Sequence, residues 1–216
     1  SQLAAQGLTV LVGARDNARG ETAAQSIAGD ARAWSLDVTH ADSIAAAFAR
    51  IQRELGRLDV LVNNAGIATF GKPSTTRIDD VRAIFETNVL GVIAVTQTML
   101  PLLLAAPAGR IVNVSTRLAS IAAITAPTFP MRGIGGVAYG PSKSALNAVT
   151  VAFAQELEGT RVKVNAACPG HTATDLNGHN GSRTVEEAAR EPVRLALLGP
   201  DGPTGTFSNE AGMLPW

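Results

Sequence analysis

The sequence predicts an α/β fold, a doubly wound parallel sheet with helices on both faces. Three observations point to it. Short runs of mostly five or six residues, rich in Val, Leu and Ile, alternate with longer helical patterns along the chain. The runs are continuously apolar, as strands buried on both faces require. Strand and helix alternate one for one, the mark of parallel crossover units. At 216 residues the chain is expected to form a single domain over 1–216, because one core stops growing at roughly 250–300 residues.

Strands are expected at Leu8–Val12, Ala31–Leu36, Leu58–Val62, Arg110–Val114, Val162–Ala167 and, shorter, Thr206–Ser208. Helices are expected at Ala18–Ile27, His40–Leu55, Ile78–Leu104, Gly140–Glu158 and Val185–Leu198. Thr39 is placed to cap the second helix, with Asp42 three residues on as in a capping box. Ala119–Ala138 and the Gly-, Asn- and Thr-rich His171–Arg183 read as loops.

Eighteen basic residues balance eighteen acidic ones, so charge offers no reason to expect a nucleic-acid or membrane partner. One cysteine excludes an internal disulfide and gives no sign of an oxidising compartment. The most apolar stretch, Asn88–Ala106, contains Thr96, Gln97, Thr98 and Pro101 and falls short of the roughly 20 predominantly apolar residues of a span. It reads as a buried helix of a soluble core. No signal peptide opens the chain, and a cytoplasmic location is the expectation. His40, His171 and His179 lack metal-ligand spacing, so no metal site is expected.

In such sheets ligands bind outside the carboxyl ends of the strands, and the most informative chemistry is Tyr139-Gly140-Pro141-Ser142-Lys143. Tyr139 is the only tyrosine. Residues four apart share a helix face, so phenol and ammonium can point into one cleft. Ionising a phenol near pH 7 needs a shift of about 3 units, or about 4 kcal/mol. A cation at about 4 Å supplies about that much at an effective dielectric of about 20, before desolvation. Lys143 is therefore expected to lower the pKa of Tyr139, making it a general acid/base toward a carbonyl or alcohol. Alone, the pattern could equally be an accident on an amphipathic helix.

Its neighbours change that. Asn63-Asn64-Ala65-Gly66 follows the strand Leu58–Val62, Asn88 lies in Glu86-Thr87-Asn88, Asn113-Val114-Ser115-Thr116 ends a strand, and Pro169-Gly170 follows Val162–Ala167. With Tyr139 and Lys143 these motifs make the chain resemble the short-chain dehydrogenase/reductase family along nearly its whole length. The resemblance implies a Rossmann-like fold. It implies Tyr139, Lys143, Thr116 and Asn88 as catalytic residues, with Asn88 supporting a proton relay. It also implies Asn64, Ala65, Gly66, Tyr139, Lys143, Pro169, Gly170 and Thr174 around a nicotinamide cofactor, with Asp37 and Val38 beside the adenine. Asp201-Gly202-Pro203-Thr204-Gly205 and the Trp216 end resemble carbonyl-reductase-like members, which implies a small-molecule carbonyl or alcohol substrate. Helices equivalent to Ile78–Leu104 and Gly140–Glu158 usually form the oligomer interface, which implies a homodimer or homotetramer.

The cofactor is expected to be NADP(H) rather than NAD(H). Ala14 leaves no carboxylate for a ribose 2′-hydroxyl, whereas Arg15 can pair with a 2′-phosphate. Two departures stand out. The chain begins late in a helix, so roughly 20–30 residues of a first βαβ unit, with its strand and Gly-rich phosphate loop, are expected to be missing. Gly133-Ile134-Gly135-Gly136-Val137-Ala138 fits that loop by spelling but follows no strand and reads as loop. Thr116 also stands where the family has serine, with Ser115 as fallback; threonine keeps the hydroxyl but stiffens χ1. Ser115 and His171 are the candidate substrate contacts. The alternative functional readings are a non-catalytic or cofactor-deficient binding or scaffold protein of the same fold, and an NAD-dependent alcohol dehydrogenase.

Overall fold

The expected strands all form in the computed structural model, which describes residues 1–216. In chain order the elements are α1 (Gln2–Ala5), β1 (Val10–Ala14), α2 (Asn17–Gln25), β2 (Ala31–Ser35), α3 (Ala41–Glu54), β3 (Val60–Asn63), α4 (Ile78–Phe85), α5 (Gly91–Leu104), β4 (Arg110–Val114), α6 (Ile121–Thr125), α7 (Tyr139–Glu156), β5 (Lys163–Ala167), α8 (Val185–Ala196), β6 (Thr206–Asn209) and β7 (Gly212–Met213). The strands form two hydrogen-bonded pieces. One is the parallel pair β1-β2; the other has the order β3-β4-β5-β6-β7, parallel except for the β6-β7 hairpin. No ladder joins β1 to β3.

Strand alternation splits the core between two faces. On one face Ile111 and Val164 pack with Val95, Met99, Leu102 and Leu103 of α5, Ile44 and Ile51 of α3, and Phe153 of α7. Trp34, Leu11 and Leu36 join the same cluster, which therefore reaches both sheet pieces. On the other face Val112, Val60, Val62 and Ala167 meet Leu195 of α8 and Leu3 of α1. Helices thus cover both faces, as the alternation requires.

Several expected boundaries move, for physical reasons. β1 runs on through Gly13 and Ala14, which pair with Trp34 and Ser35. The small residues look like a turn but serve close packing: a Cβ built on Gly20 of α2 would lie 3.1 Å from the Ala14 Cβ. Thr39 does not cap α3. The N-cap is His40, without a side-chain bond, while Thr39 donates from N and Oγ1 to Asp37 Oδ1 at 2.9 and 2.7 Å. The expected loop Ala119–Ala138 contains α6, whose N-terminus is held by Ser120 Oγ accepting from Ala123 N at 3.0 Å. His171–Arg183 stays irregular but closes on itself, Ala173 N donating to Arg183 O and Arg183 N to His171 O.

The expected helix Ile78–Leu104 is continuous, but one π turn, Glu86–Leu90, separates α4 from α5 and turns Asn88 fully inward. By length and composition this helix could cross a membrane. In the fold Ile84, Val89, Val92, Val95, Met99, Leu102 and Leu103 are buried in the domain. Its entry into the core is tight: a Cβ on Gly91 would sit 2.9 Å from Val38 O and 3.0 Å from Val38 Cγ2. Both neighbours belong to the packed segment after β2. Gly91→Ala is therefore expected to destabilise the fold by about 1–3 kcal/mol through overpacking, measured as a lower urea midpoint with an unchanged m-value.

Candidate active site

Parallel strands present all their carboxyl ends along one edge, and most of the candidate residues converge there. Ser115 and Thr116 follow β4, Cys168, Pro169 and Gly170 follow β5, and Asn64-Ala65-Gly66 follows β3. α7 packs across β4 and β5 with a polar stripe buried at helical spacing: Tyr139, Ser142, Lys143, Asn147 and Thr150. Such groups need partners, since an unpaired buried polar group costs about 1–3 kcal/mol.

The partners are specific. Lys143 Nζ donates to Val114 O at the end of β4 at 2.7 Å. Asn88 Nδ2 donates to Ile67 O at 2.9 Å and to Ser142 Oγ at 3.0 Å, while Asn88 Oδ1 accepts from Ile67 N at 2.9 Å. Asn88 thereby clamps the loop after β3 to α7. Gly66 lies against this clamp: an added Cβ would be 3.3 Å from Asn88 Oδ1 and 3.5 Å from Lys143 Nζ. Beneath, Asn63 Nδ2 donates to Thr96 Oγ1 and Asn113 Oδ1, and Asn113 Nδ2 to Thr150 Oγ1, a polar layer tying β3, β4, α5 and α7 together.

The two candidate hydroxyls are in different situations. Ser115 is buried, its Oγ donating to Asn147 Oδ1 at 2.6 Å. Thr116 is half-buried, its Oγ1 accepting from Leu118 N at 3.3 Å, which leaves its hydroxyl proton free. Of the two hydroxyls, Thr116 alone keeps its proton without an acceptor. His171 is exposed at the start of the closed loop, and Thr174 is half-buried within it. Gly170 takes φ +81°, and a Cβ there would meet Arg183 Cδ at 2.8 Å, so the turn after β5 needs glycine.

Arg15 and Asp37 stand apart from the Tyr139–Lys143 group, at the carboxyl ends of the β1-β2 pair. Arg15 is exposed. Thr39 hydrogen bonds first, and His40 nearby, hold the Asp37 carboxyl below its ordinary range. Val38 reaches the others by packing on Gly91.

Electrostatics reverse one expectation. Burial, with a smaller contribution from Cys168, pushes the Tyr139 phenol up to about 12. Burial also pulls the Lys143 ammonium down to about 8. Lys143 does not act on the phenol here, because its ammonium is itself desolvated and bonded to the Val114 carbonyl. Without a second charge nearby, desolvation outweighs the helix-face pairing.

Sequence reasoning passed over several participants. Phe70 packs edge-on against Tyr139, centroids 5.5 Å apart; nothing in its local pattern marks it. Ser142 lay in view between Tyr139 and Lys143, and Asn63 and Asn113 were visible as amides within apolar runs.

The family described as short chain dehydrogenase matches residues 1–184. The chain is 36% identical over 207 residues to the short-chain dehydrogenase anuI of Penicillium roqueforti (strain FM164), covering 92% of this chain and 82% of that protein. It is 32% identical over 247 residues to carbonyl reductase [NADPH] 1 of Mus musculus, covering 96% of this chain and 88% of that protein. Among solved structures, salutaridine reductase from Papaver somniferum superposes with a TM-score of 0.83 at 26% identity, over 95% of this chain and 92% of that one.

Because Tyr139 is the only tyrosine, its ionisation can be followed by ultraviolet difference absorbance. In the cofactor-free protein the phenolate is expected to appear near pH 12 rather than 10. A midpoint at or below 10 in the folded protein would contradict burial as the dominant influence.

Proposed function

Since the chain belongs to the short-chain dehydrogenase family, we propose that it is an NADP(H)-dependent carbonyl or alcohol oxidoreductase with Tyr139 as general acid/base. The observation that carries the reading is the convergence of Tyr139, Lys143 and the free hydroxyl of Thr116 at the end of β4. Carbonyl reductase [NADPH] relatives support the substrate class and the cofactor.

The residues present fit the cofactor. Gly66 and Gly170 keep the strand ends free of side chains where a planar ring system would approach. Ala14 offers no carboxylate to a ribose 2′-hydroxyl, and Arg15 is exposed and pairs with no carboxylate, so its guanidinium is free for a 2′-phosphate. Asn64, Ala65, Gly66, Lys143, Pro169, Gly170 and Thr174 would hold the nicotinamide half, and Asp37 and Val38 the adenine. Bound NADP(H) supplies hydride to a carbonyl carbon or accepts it from an alcohol.

The chain's own residues handle the proton. In the reducing direction Tyr139 Oη gives its proton to the carbonyl oxygen; burial keeps the phenol protonated near pH 7 and ready for that step. Thr116 orients the carbonyl by donating to the same oxygen. Lys143, one turn along α7, would hold the cofactor ribose. Asn88, fixed by Ile67 and Ser142, supports the return of a proton through Lys143. Association through α4–α5 and α7 into a homodimer or homotetramer belongs to the same reading.

Tyr139→Phe removes the proton donor and is expected to lower kcat for NADPH-dependent carbonyl reduction at least 10²-fold, measured as loss of nicotinamide absorbance across an aldehyde and ketone panel. Equal rates in the two proteins would refute the assignment. Arg15→Ala is expected to weaken NADP binding at least tenfold, or about 1.4 kcal/mol, with little effect on NAD, measured by calorimetry. A parallel loss of both would place the arginine's role elsewhere, and no heat from either cofactor with soluble wild-type protein would favour a cofactor-deficient binding protein.

A further inference from the structure

Between Glu86 and Glu156 the sequence contains no aspartate or glutamate, yet it carries Arg110, Arg117, Arg132 and Lys143. Two of these cations are bonded to backbone carbonyls. Arg110 donates to the carbonyls of Leu198, Gly199, Gly109 and Arg161, and Lys143 to that of Val114. Arg117 differs. It is exposed, immediately follows Thr116, and its guanidinium lies 5.3 Å from the centroid of the Phe129 ring without pairing with any carboxylate. In the neighbouring tail, Asn209–Trp216, the one acidic side chain is Glu210, and it is paired with Arg183 and Arg190.

Arg117 forms part of the wall of a cavity of about 260 Å³ between α6, the turn at Thr128–Pro130 and the Leu214-Pro215 segment. The rest of the wall is mainly apolar: Ala123, Ala126, Phe129 and Leu214. Ser120, also on the wall, has its Oγ engaged by Ala123 N and Trp216 O. Phe129, on the cavity wall, belongs to one packed cluster with Leu118 and Tyr139, which brings the cavity into the neighbourhood of the phenol. An apolar cavity with one unpartnered, bidentate cation recognises an apolar body ending in a carboxylate.

We propose that Arg117 and this cavity hold the carboxylate of the substrate, so that the preferred carbonyl compounds are apolar, aromatic-sized oxo acids. This rests on the oxidoreductase reading and adds to it the anion on the substrate. The Arg117 guanidinium lies over the face of Phe129, and no Asp or Glu side chain between Glu86 and Glu156 competes for it. Because Arg117 is exposed, the pair is screened by salt, and the expected selectivity is moderate.

The test is calorimetry on the full chain in excess NADP⁺ at fixed ionic strength, titrating 4-(hydroxymethyl)benzoate and its methyl ester. Wild-type protein is expected to bind the acid about tenfold more tightly than the ester, a difference of about 1.4 kcal/mol. Arg117→Met is expected to abolish the preference while leaving ester binding within about twofold, and Arg117→Lys to retain part of it. Equal binding of acid and ester, no binding of either, or a preference that survives in Arg117→Met overturns the proposal. Reduction of 4-carboxybenzaldehyde and its methyl ester with NADPH is followed alongside. Turnover of both without an acid preference in binding removes the Arg117 site alone. An acid preference without turnover of either aldehyde removes the oxidoreductase reading and leaves the carboxylate site standing.

Discussion

Between residues 139 and 150, α7 turns Tyr139, Ser142, Lys143, Asn147 and Thr150 toward the carboxyl edge of the sheet, where all are buried. A helix face of this kind is stable only if the elements it meets supply hydrogen-bond partners. The strands do so from their last residues: Val114 O accepts from Lys143, Asn113 pairs with Thr150, and Ser115 donates to Asn147. The π turn supplies Asn88 to Ser142. Register therefore follows from polar satisfaction, since a shift of α7 by one turn would leave several buried groups unpaired at once.

The same requirement explains where freedom remains. Asn147 Nδ2 has no protein partner although its carbonyl side is engaged. The Thr116 hydroxyl keeps its proton available, and the Tyr139 phenol is held neutral by burial. Groups with unused donors thus lie at the border of the satisfied layer, while those inside it fix position. Lys143 sits on both sides of that division: its bond to Val114 anchors it, and desolvation lowers its proton affinity. Its sign follows from burial: the folded state binds Lys143's proton less well than the unfolded chain, so its contribution to stability improves as pH rises from about 8 toward 10.5.

One hydrophobic cluster spans the two sheet pieces. β1 and β3 share no hydrogen bonds, yet Leu11, Leu36 and Trp34 enter the cluster formed by α3, α5 and the larger sheet. Gly91 brings α5 within contact of Val38, and through that contact the ends of β1 and β2 hold a fixed place relative to the catalytic edge.

Much of this was legible in the sequence. Apolar runs set the strands and their parallel character, because burial on both faces leaves a compositional trace. Tyr139 and Lys143 stood out by their helix-face spacing, whereas Asn88, the Asn64–Gly66 turn and Pro169-Gly170 were legible through the family resemblance. What spacing could not convey was long-range. Phe70 against Tyr139 and Asn147 with Ser115 depend on segments far apart in the chain meeting at one edge. Thr39 donates to Asp37 while His40 takes the N-cap position of α3, and Ala119–Ala138 hid α6 because five residues are too few for a periodicity to register. The phenol's pKa is the clearest case. Sequence placed a cation one turn away, which argues for a lowered value, but desolvation is a property of the folded environment, and only the tertiary structure decided that it prevails.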